Sequence, residues 1–291
     1  MAWHRAMRGL SAVGIFAIIT LMAPPLLAQE PADPNPGTIT FTGGIDFQNA
    51  YMFRGIRQDD TGVIARPYGD LGLAIYSGDS GLKGVRLHVG TWNSLHSGVA
   101  GSDGPSGKRW YESDFYAAVD LGLGRGVSVG TTYTAYLSPN DMFTAVRELA
   151  LKVAVDDRAM LGGAALRPYA LVAFELDTKP GIGQIDGGLN AGKYFEIGMA
   201  PGYAARRAGI AFPVKVGLSL GDYYELAGQD HTFGFASVAG LVTVPFGRST
   251  RSGAWNLHGG GEYQALGKTA RAFNGGEASK IIGTIGVGFS Y

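Results

Sequence analysis

The amino-acid sequence predicts an all-β chain: an antiparallel up-and-down transmembrane β-barrel of about 12 strands. Three observations predict it. Apolar and polar residues alternate with period two in segment after segment, the mark of strands with one apolar and one polar face. The composition is rich in glycine (47 of 291 residues) and aromatics (11%) but holds only 16% charged residues, against about 25% in ordinary soluble domains. Long polar connections alternate with short turns, as in barrels with extended outer loops and tight periplasmic turns.

Composition also excludes. The glycines follow no Gly-X-Y period, so the chain is not collagen-like. A mean hydropathy close to zero is too low for a helical membrane protein. Cysteine is absent, which rules out a disulfide framework, a Cys-based metal site and lipidation at cysteine. The formal charge is zero, so no basic excess argues for nucleic acid.

Residues 1–28 read as a secretory signal. Arg5 and Arg8 form the basic end, residues 10–23 an uncharged apolar run, and Pro24-Pro25 then Leu26-Leu27-Ala28 a break and a cleavage site. The apolar run is short for a membrane helix, which needs about 20 residues. Residues 29–36 form a polar, Pro-rich lead-in, and residues 37–291 the barrel. The first strand is expected over residues 39–53, with Ile39, Phe41, Ile45, Phe47, Tyr51 and Phe53 on one face and Thr40, Thr42, Asp46 and Gln48 on the other. It exceeds the roughly 9–11 residues a tilted strand needs to cross a bilayer, and its odd face is expected on lipid.

Further outward faces follow in order: Leu71, Leu73 and Ile75; Val85, Leu87 and Val89; Tyr111, Phe115, Val119 and Leu121; Val127, Val129, Tyr133 and Leu137; Leu149, Leu151, Val153 and Val155; Ala170, Val172, Phe174 and Leu176; Phe195, Ile197 and Met199. Phe212, Val214, Val216, Leu218 and Leu220 come next. Residues 232–244 alternate less cleanly and predict a bulged strand. Trp255, Leu257, Tyr263 and Ala265 precede a last strand with Ile281, Ile285, Val287, Phe289 and Tyr291. With a periplasmic N-terminus, the long stretches 94–108, 178–191, 221–231 and 267–279 all face outside, and 122–126 and 156–158 are short inner turns. A short outer connection at 138–142 and a long inner one at 201–209 break the rule. The closing aromatics Phe289 and Tyr291 resemble the signal read by the outer-membrane assembly machinery.

The run Tyr51-Met52-Phe53-Arg54-Gly55-Ile56-Arg57-Gln58 resembles the Y-x-F-R-G-x-x-Q motif of the TorF-type porin family of proteobacteria. Trp92-Asn93-Ser94 and Glu112-Ser113-Asp114-Phe115-Tyr116 fit the same pattern, and the resemblance covers roughly residues 39–155. Arg57 stands where the family usually has a small polar residue. The resemblance implies an outer-membrane barrel and names no substrate.

Enzyme-like strings are discounted. Residues 217–221 match Gly-x-Ser-x-Gly, but Ser219 sits in an alternating strand rather than a strand-to-helix elbow. His258-Gly259-Gly260-Gly261 matches an oxyanion string but follows the serine instead of preceding it. The histidines His88, His96, His231 and His258 read as polar wall or loop residues without metal spacing. No catalytic, cofactor or metal residue is assigned. A lipid-acting barrel enzyme would need a Ser and a His brought together.

The polar faces place Asp46, Arg54, Arg66, Asp70, Arg86, Glu112, Asp114, Asp120, Glu148, Lys152, Arg167, Glu175, Glu196, Lys215 and Glu262 on the lumen wall. Two readings stay open. One is a water-filled pore with a mild cation preference; the other is a lumen plugged by neutralising ion pairs, since buried charges must be paired. Arg54 is expected to pair with Asp114 or Glu112. Tyr51, Phe53, Trp110, Tyr111, Tyr133 and Trp255 read either as interfacial girdles or as ordinary packing. The expected function is passive passage of small hydrophilic solutes through the bacterial outer membrane. Expected partners are membrane lipid and lipopolysaccharide, the assembly machinery and the solutes. A structural or adhesive barrel is the alternative.

Overall fold

A computed structural model describes residues 37–101, 104, 107–177, 190–205, 207–250 and 253–291. The expected signal and lead-in lie outside the described residues, as does most of the connection at 178–191. The barrel strands are β1 Ile39–Gln48, β2 Ile64–Ser77, β3 Leu82–His96, β4 Trp110–Leu123, β5 Val127–Leu137, β6 Val146–Val155, β7 Tyr169–Glu175, β8 Lys193–Met199, β9 Val214–Gly221, β10 Phe233–Thr250, β11 Gly253–Leu266 and β12 Ser279–Ser290. Each pairs antiparallel with its sequence neighbours. β1 closes the wall by pairing with β2 on one side (Ile39↔Leu73 to Gln48↔Ile64) and β12 on the other (Thr42↔Ser290 to Gln48↔Thr284). The result is a closed antiparallel barrel of 12 strands, which leaves no open sheet edge in the wall.

Alternation sorts the side chains as expected. Leu71, Leu73, Leu87, Val89, Phe115, Val119, Leu151, Val153, Val242, Leu257 and Ile285 are exposed on the outside. An apolar wall this continuous is the surface of a barrel solvated by lipid. At one end Phe246, Trp255, Phe289 and Phe41 meet side by side across β10, β11, β12 and β1, with centroids 6.4, 4.8 and 6.2 Å apart, as in an interfacial aromatic girdle. The Tyr291 and Phe41 backbones bond reciprocally at 2.7 Å, tying the last residue to β1.

The connections at this end are short or structured, and it is called the turn end; the opposite one is the loop end. Two expectations about turns are corrected. The connection after β6 is not the short turn 156–158: it runs to residue 168 and contains helix α1, Arg158–Leu161. The long inner connection at 201–209 is largely strand. Gly202–Ala205 pairs with Ala208–Ala211, and Ala211 faces Leu241 in the same register in which Val214 faces Val238. β8 and β9 thus continue past Pro201 and Pro213, whose missing N–H groups interrupt the ladder without ending the hairpin. The expected bulge is a register shift at Gly217/Leu218, opposite Phe235 and Phe233.

The largest correction concerns residues 39–53. β1 ends at Gln48. Tyr51–Phe53 and Ile56–Asp59 then form a separate hairpin that folds into the barrel at the loop end. Its turn residues Arg54 and Gly55 both have positive φ, 45° and 83°, as two-residue hairpin turns demand. Gly55 also sits against Phe235, where a Cβ would come within 2.8 Å of the Phe235 Cβ. Tyr51 and Phe53 are therefore buried inside rather than placed on lipid. They pack with Trp92, Tyr111, Tyr136, Ile64 and Val146, while Met52 packs against a second cluster around Tyr194, Tyr223, Tyr224 and Phe235. Helix α2, Lys268–Phe273, lies in a connection expected to be a loop, and the Asn274 that ends it clamps the hairpin: its amide donates to the Gly55 carbonyl (2.9 Å) and its oxygen accepts from the Arg57 N–H (2.7 Å).

Candidate functional site

The inner wall and the hairpin it encloses are the place where charge and chemistry concentrate. Arg54 reaches from the hairpin turn to the wall. Its guanidinium donates twice to Glu148 on β6, at 2.7 and 2.8 Å, and once to the Tyr223 hydroxyl at 2.6 Å. It lies 4.0 Å from the Tyr194 ring centroid, with the Phe53 and Tyr223 rings at 5.0 and 5.2 Å. Both partners are nearly sealed, at 4% and 1% side-chain exposure. Glu148, rather than the expected Asp114 or Glu112, is thus the partner of Arg54. Glu112 accepts instead from the Tyr51 hydroxyl at 2.8 Å and sits with Asp114 on the same buried face of β4. Glu175 accepts from the Gly192 N–H at 2.7 Å.

The hairpin is held at its exposed rim as well. Arg57 and Lys280 each contact both Asp60 and Glu277, at 3.1, 3.5, 2.6 and 3.4 Å, closing a square of two cations and two acids. The bond from Lys280, with Arg57 adding to it against slight burial, holds the Asp60 carboxyl below the usual carboxylate range. Burial pushes Asp59 up, but bonds from Thr61 and His96 outweigh it and hold Asp59 below that range too.

Asp59 also completes a constellation that sequence spacing did not reveal. His96 Nδ1 lies 2.6 Å from Asp59 Oδ2, and His96 Nε2 lies 2.7 Å from Ser94 Oγ. Roles and distances match a Ser-His-Asp relay. Ser94 is nonetheless fully buried, the Tyr111 ring is stacked flat on His96 at 4.7 Å, and the acid comes from the hairpin. In this conformation no substrate carbonyl reaches the hydroxyl; the three residues clamp the hairpin to β3. Ser219, of the discounted elbow string, accepts from the Gly221 and Tyr223 N–H groups, both at 3.1 Å, and shapes a turn. His258 is far from that role too: it binds Asp46 at 2.7 Å and Asn256 at 2.9 Å.

The rest of the wall carries the other expected residues. Asp46 also faces Arg66 at 3.5 Å. His88 stands between Asp70 (2.9 Å) and Asp120 (3.3 Å), and the Tyr116 hydroxyl donates to Asp70 at 2.8 Å. Tyr116 reaches Asp70 across Gly90, the residue between them in register, where a Cβ would run into the Tyr116 hydroxyl. Glu196 accepts from Tyr169 and Tyr194 at 2.7 and 2.6 Å and lies 4.0 Å from Lys215. The Lys152 ammonium sits 4.5 Å from the Tyr169 ring centroid, Arg86 donates to Thr40, and Glu262 accepts from Gln264. Arg167 is not a strand residue of the lumen wall. It lies in the turn before β7 with φ 51°, its backbone N–H held by Asp157 and its side chain donating to the Gly202 carbonyl. Among the girdle candidates, Tyr133 and Trp255 do face outward, whereas Tyr51, Phe53 and Tyr111 belong to the interior. Among the described residues no group of three or more His, Cys, Asp and Glu side chains is arranged to hold a metal ion.

No family profile and no curated protein matches this chain. Solved structures similar to it include the NanC porin (12% identity, TM-score 0.44, 86% of this chain and 98% of that one). The translocator domain of the autotransporter NalP from Neisseria meningitidis gives 13%, 0.41, 88% and 89%. Salmonella typhi OmpF gives 8%, 0.39, 87% and 97%.

Proposed function

We propose that this chain is an outer-membrane channel for small hydrophilic solutes, exported by residues 1–28, assembled through Phe289 and Tyr291, and shut at its loop end by the inner hairpin. One observation carries the reading. Charged side chains on the inner wall keep contact with solvent: Lys215 is 26% exposed, Asp46 18% and Glu196 14%. They point inward, so the water that reaches them stands in the lumen. Selectivity then rests on width and wall charge rather than on a catalytic group. The motif-like run at residues 51–58, on which the resemblance to TorF-type porins rests, is the hairpin itself. Lipid, lipopolysaccharide and the assembly machinery are the partners this reading requires.

The hairpin favours a second reading, a plugged barrel with a structural or adhesive role, because it touches the wall on β3, β4, β5, β6 and β10 as well as Asn274. Single-channel recording separates the two. Residues 29–291 in a planar bilayer should give rare or small steps, and the same protein with residues 51–59 replaced by a short Gly-Ser bridge should give discrete, ohmic ones. If both proteins insert and stay silent, the plugged reading replaces the channel.

A further inference from the structure

We infer that the Arg54 seat is a recognition site for guanidinium-bearing solutes, with Arg54 as the chain's own occupant. The inference rests on the channel reading for its physiological sense, and names the solute class. The seat is built from elements outside the hairpin. Glu148 presents both carboxylate oxygens to a planar fork, with the Tyr136 hydroxyl donating to one of them at 3.3 Å. Tyr194 lays its ring 4.0 Å from the guanidinium carbon and is fixed there by its own bond to Glu196. Tyr223 offers a hydroxyl acceptor at 2.6 Å and a second ring. A bidentate carboxylate under aromatic faces is the arrangement that selects a guanidinium over an ammonium, because only the planar group satisfies both oxygens while stacking.

The occupant sits on the inner hairpin, not on a strand of the wall. Arg54 adopts φ 45°, a conformation uncommon for a residue with a side chain, and the hairpin's rim contacts are half-buried ion pairs. A solute that takes the seat displaces the Arg54 side chain and removes one of the contacts that hold the hairpin to the wall. Binding thus loosens the hairpin, and the acid-rich lumen favours entry of such cations.

The test uses the variant Arg54→Gly, since glycine accepts positive φ without strain, and methylguanidinium as the probe. Calorimetric titration of the refolded variant in detergent should show saturable binding. Wild type, whose seat is filled, should bind at least about tenfold more weakly, and so should methylammonium on the variant. Adding Glu148→Gln to the variant should abolish binding. A folded Arg54→Gly protein that fails to bind, or that binds equally well after Glu148→Gln is added, overturns the inference. If Arg54→Gly does not fold alone, it is refolded in methylguanidinium: recovery with that ion but not with methylammonium supports the seat, and no recovery refutes it. Silent bilayers together with calorimetric binding would refute the channel reading and leave the seat standing.

Discussion

At the residue scale, Arg54 and Glu148 form a nearly sealed ion pair at the loop end. A buried ion pair is a weak source of stability, but breaking one side of it leaves a charge stranded. Arg54→Ala should therefore cost about 3–5 kcal/mol in a urea unfolding series in lipid vesicles, while the double change Arg54→Met/Glu148→Leu should cost far less. A double variant as unstable as the single one would mean that the pair matters for geometry beyond charge. The rim square behaves differently because it faces water. Asp60 has a folded-state pKa below its unfolded value. Its contribution is thus complete above the unfolded carboxylate range, near pH 4, and disappears as pH falls through the lowered value. Limited proteolysis at Arg57 should accelerate below about pH 4 in wild type, and Asp60→Asn should be cut readily at neutral pH with little further change on acidification. None of this pairing was legible in the sequence. Arg54 and Glu148 are 94 positions apart, and only the way the hairpin folds across the closed barrel brings them together. The inward direction of Glu148 was legible, because alternation fixes a face even where it says nothing of the partner.

At the element scale, period-two alternation located twelve strands because each wall strand has lipid on one side and a polar lumen on the other. The same rule misjudged residues 49–53 for an instructive reason. Alternation reports that every second side chain is apolar, not what covers it, and Tyr51 and Phe53 are covered by Trp92, Tyr111 and Tyr136 instead of by lipid. The turn chemistry held the missing clue: Arg54-Gly55, both with positive φ, form a two-residue hairpin turn between Tyr51–Phe53 and Ile56–Asp59. The stretch 201–209 misled in the opposite sense: Pro201 ends a ladder hydrogen bond but not the strand direction, and Gly202–Ala205 pairs with Ala208–Ala211. The lipid-facing wall gives a direct test. Val89, exposed on the outside of β3, should tolerate arginine poorly: Val89→Arg at mid-wall should cost roughly 2–4 kcal/mol in vesicle-based unfolding. Val99→Arg, in the loop after β3 and 79% exposed, should be neutral within ~0.5 kcal/mol. Equal effects at the two sites would remove the membrane from the account of the outer wall.

At the scale of the whole molecule, the barrel separates two environments and the hairpin divides the inner one. Around the hairpin the interior is a protein core, aromatic and dry. Along the remaining wall it is a set of charges of both signs, with Asp46, Asp70, Asp120, Glu196 and Glu262 against Arg66, Arg86, Lys152 and Lys215. Some of these acids are bonded by tyrosines, Glu196 by Tyr169 and Tyr194 and Asp70 by Tyr116, while Lys215 stays 4.0 Å from Glu196. Neutral donors fix a carboxylate in place without cancelling its field. The acids therefore keep more of their reach into the lumen than a count of ion pairs suggests, and the lumen potential should be negative. In the hairpin-deleted protein, under a potassium chloride gradient, the reversal potential should take the sign of a cation-preferring channel, and the preference should weaken as salt rises and screening shortens. Lys152 offsets part of that field, with its ammonium 4.5 Å from the Tyr169 ring centroid. Lys152→Gln should strengthen cation preference, and Glu196→Gln should weaken it. An anion-preferring wild-type wall, or a reversal potential indifferent to both changes, would place the selectivity elsewhere than on these inward charges.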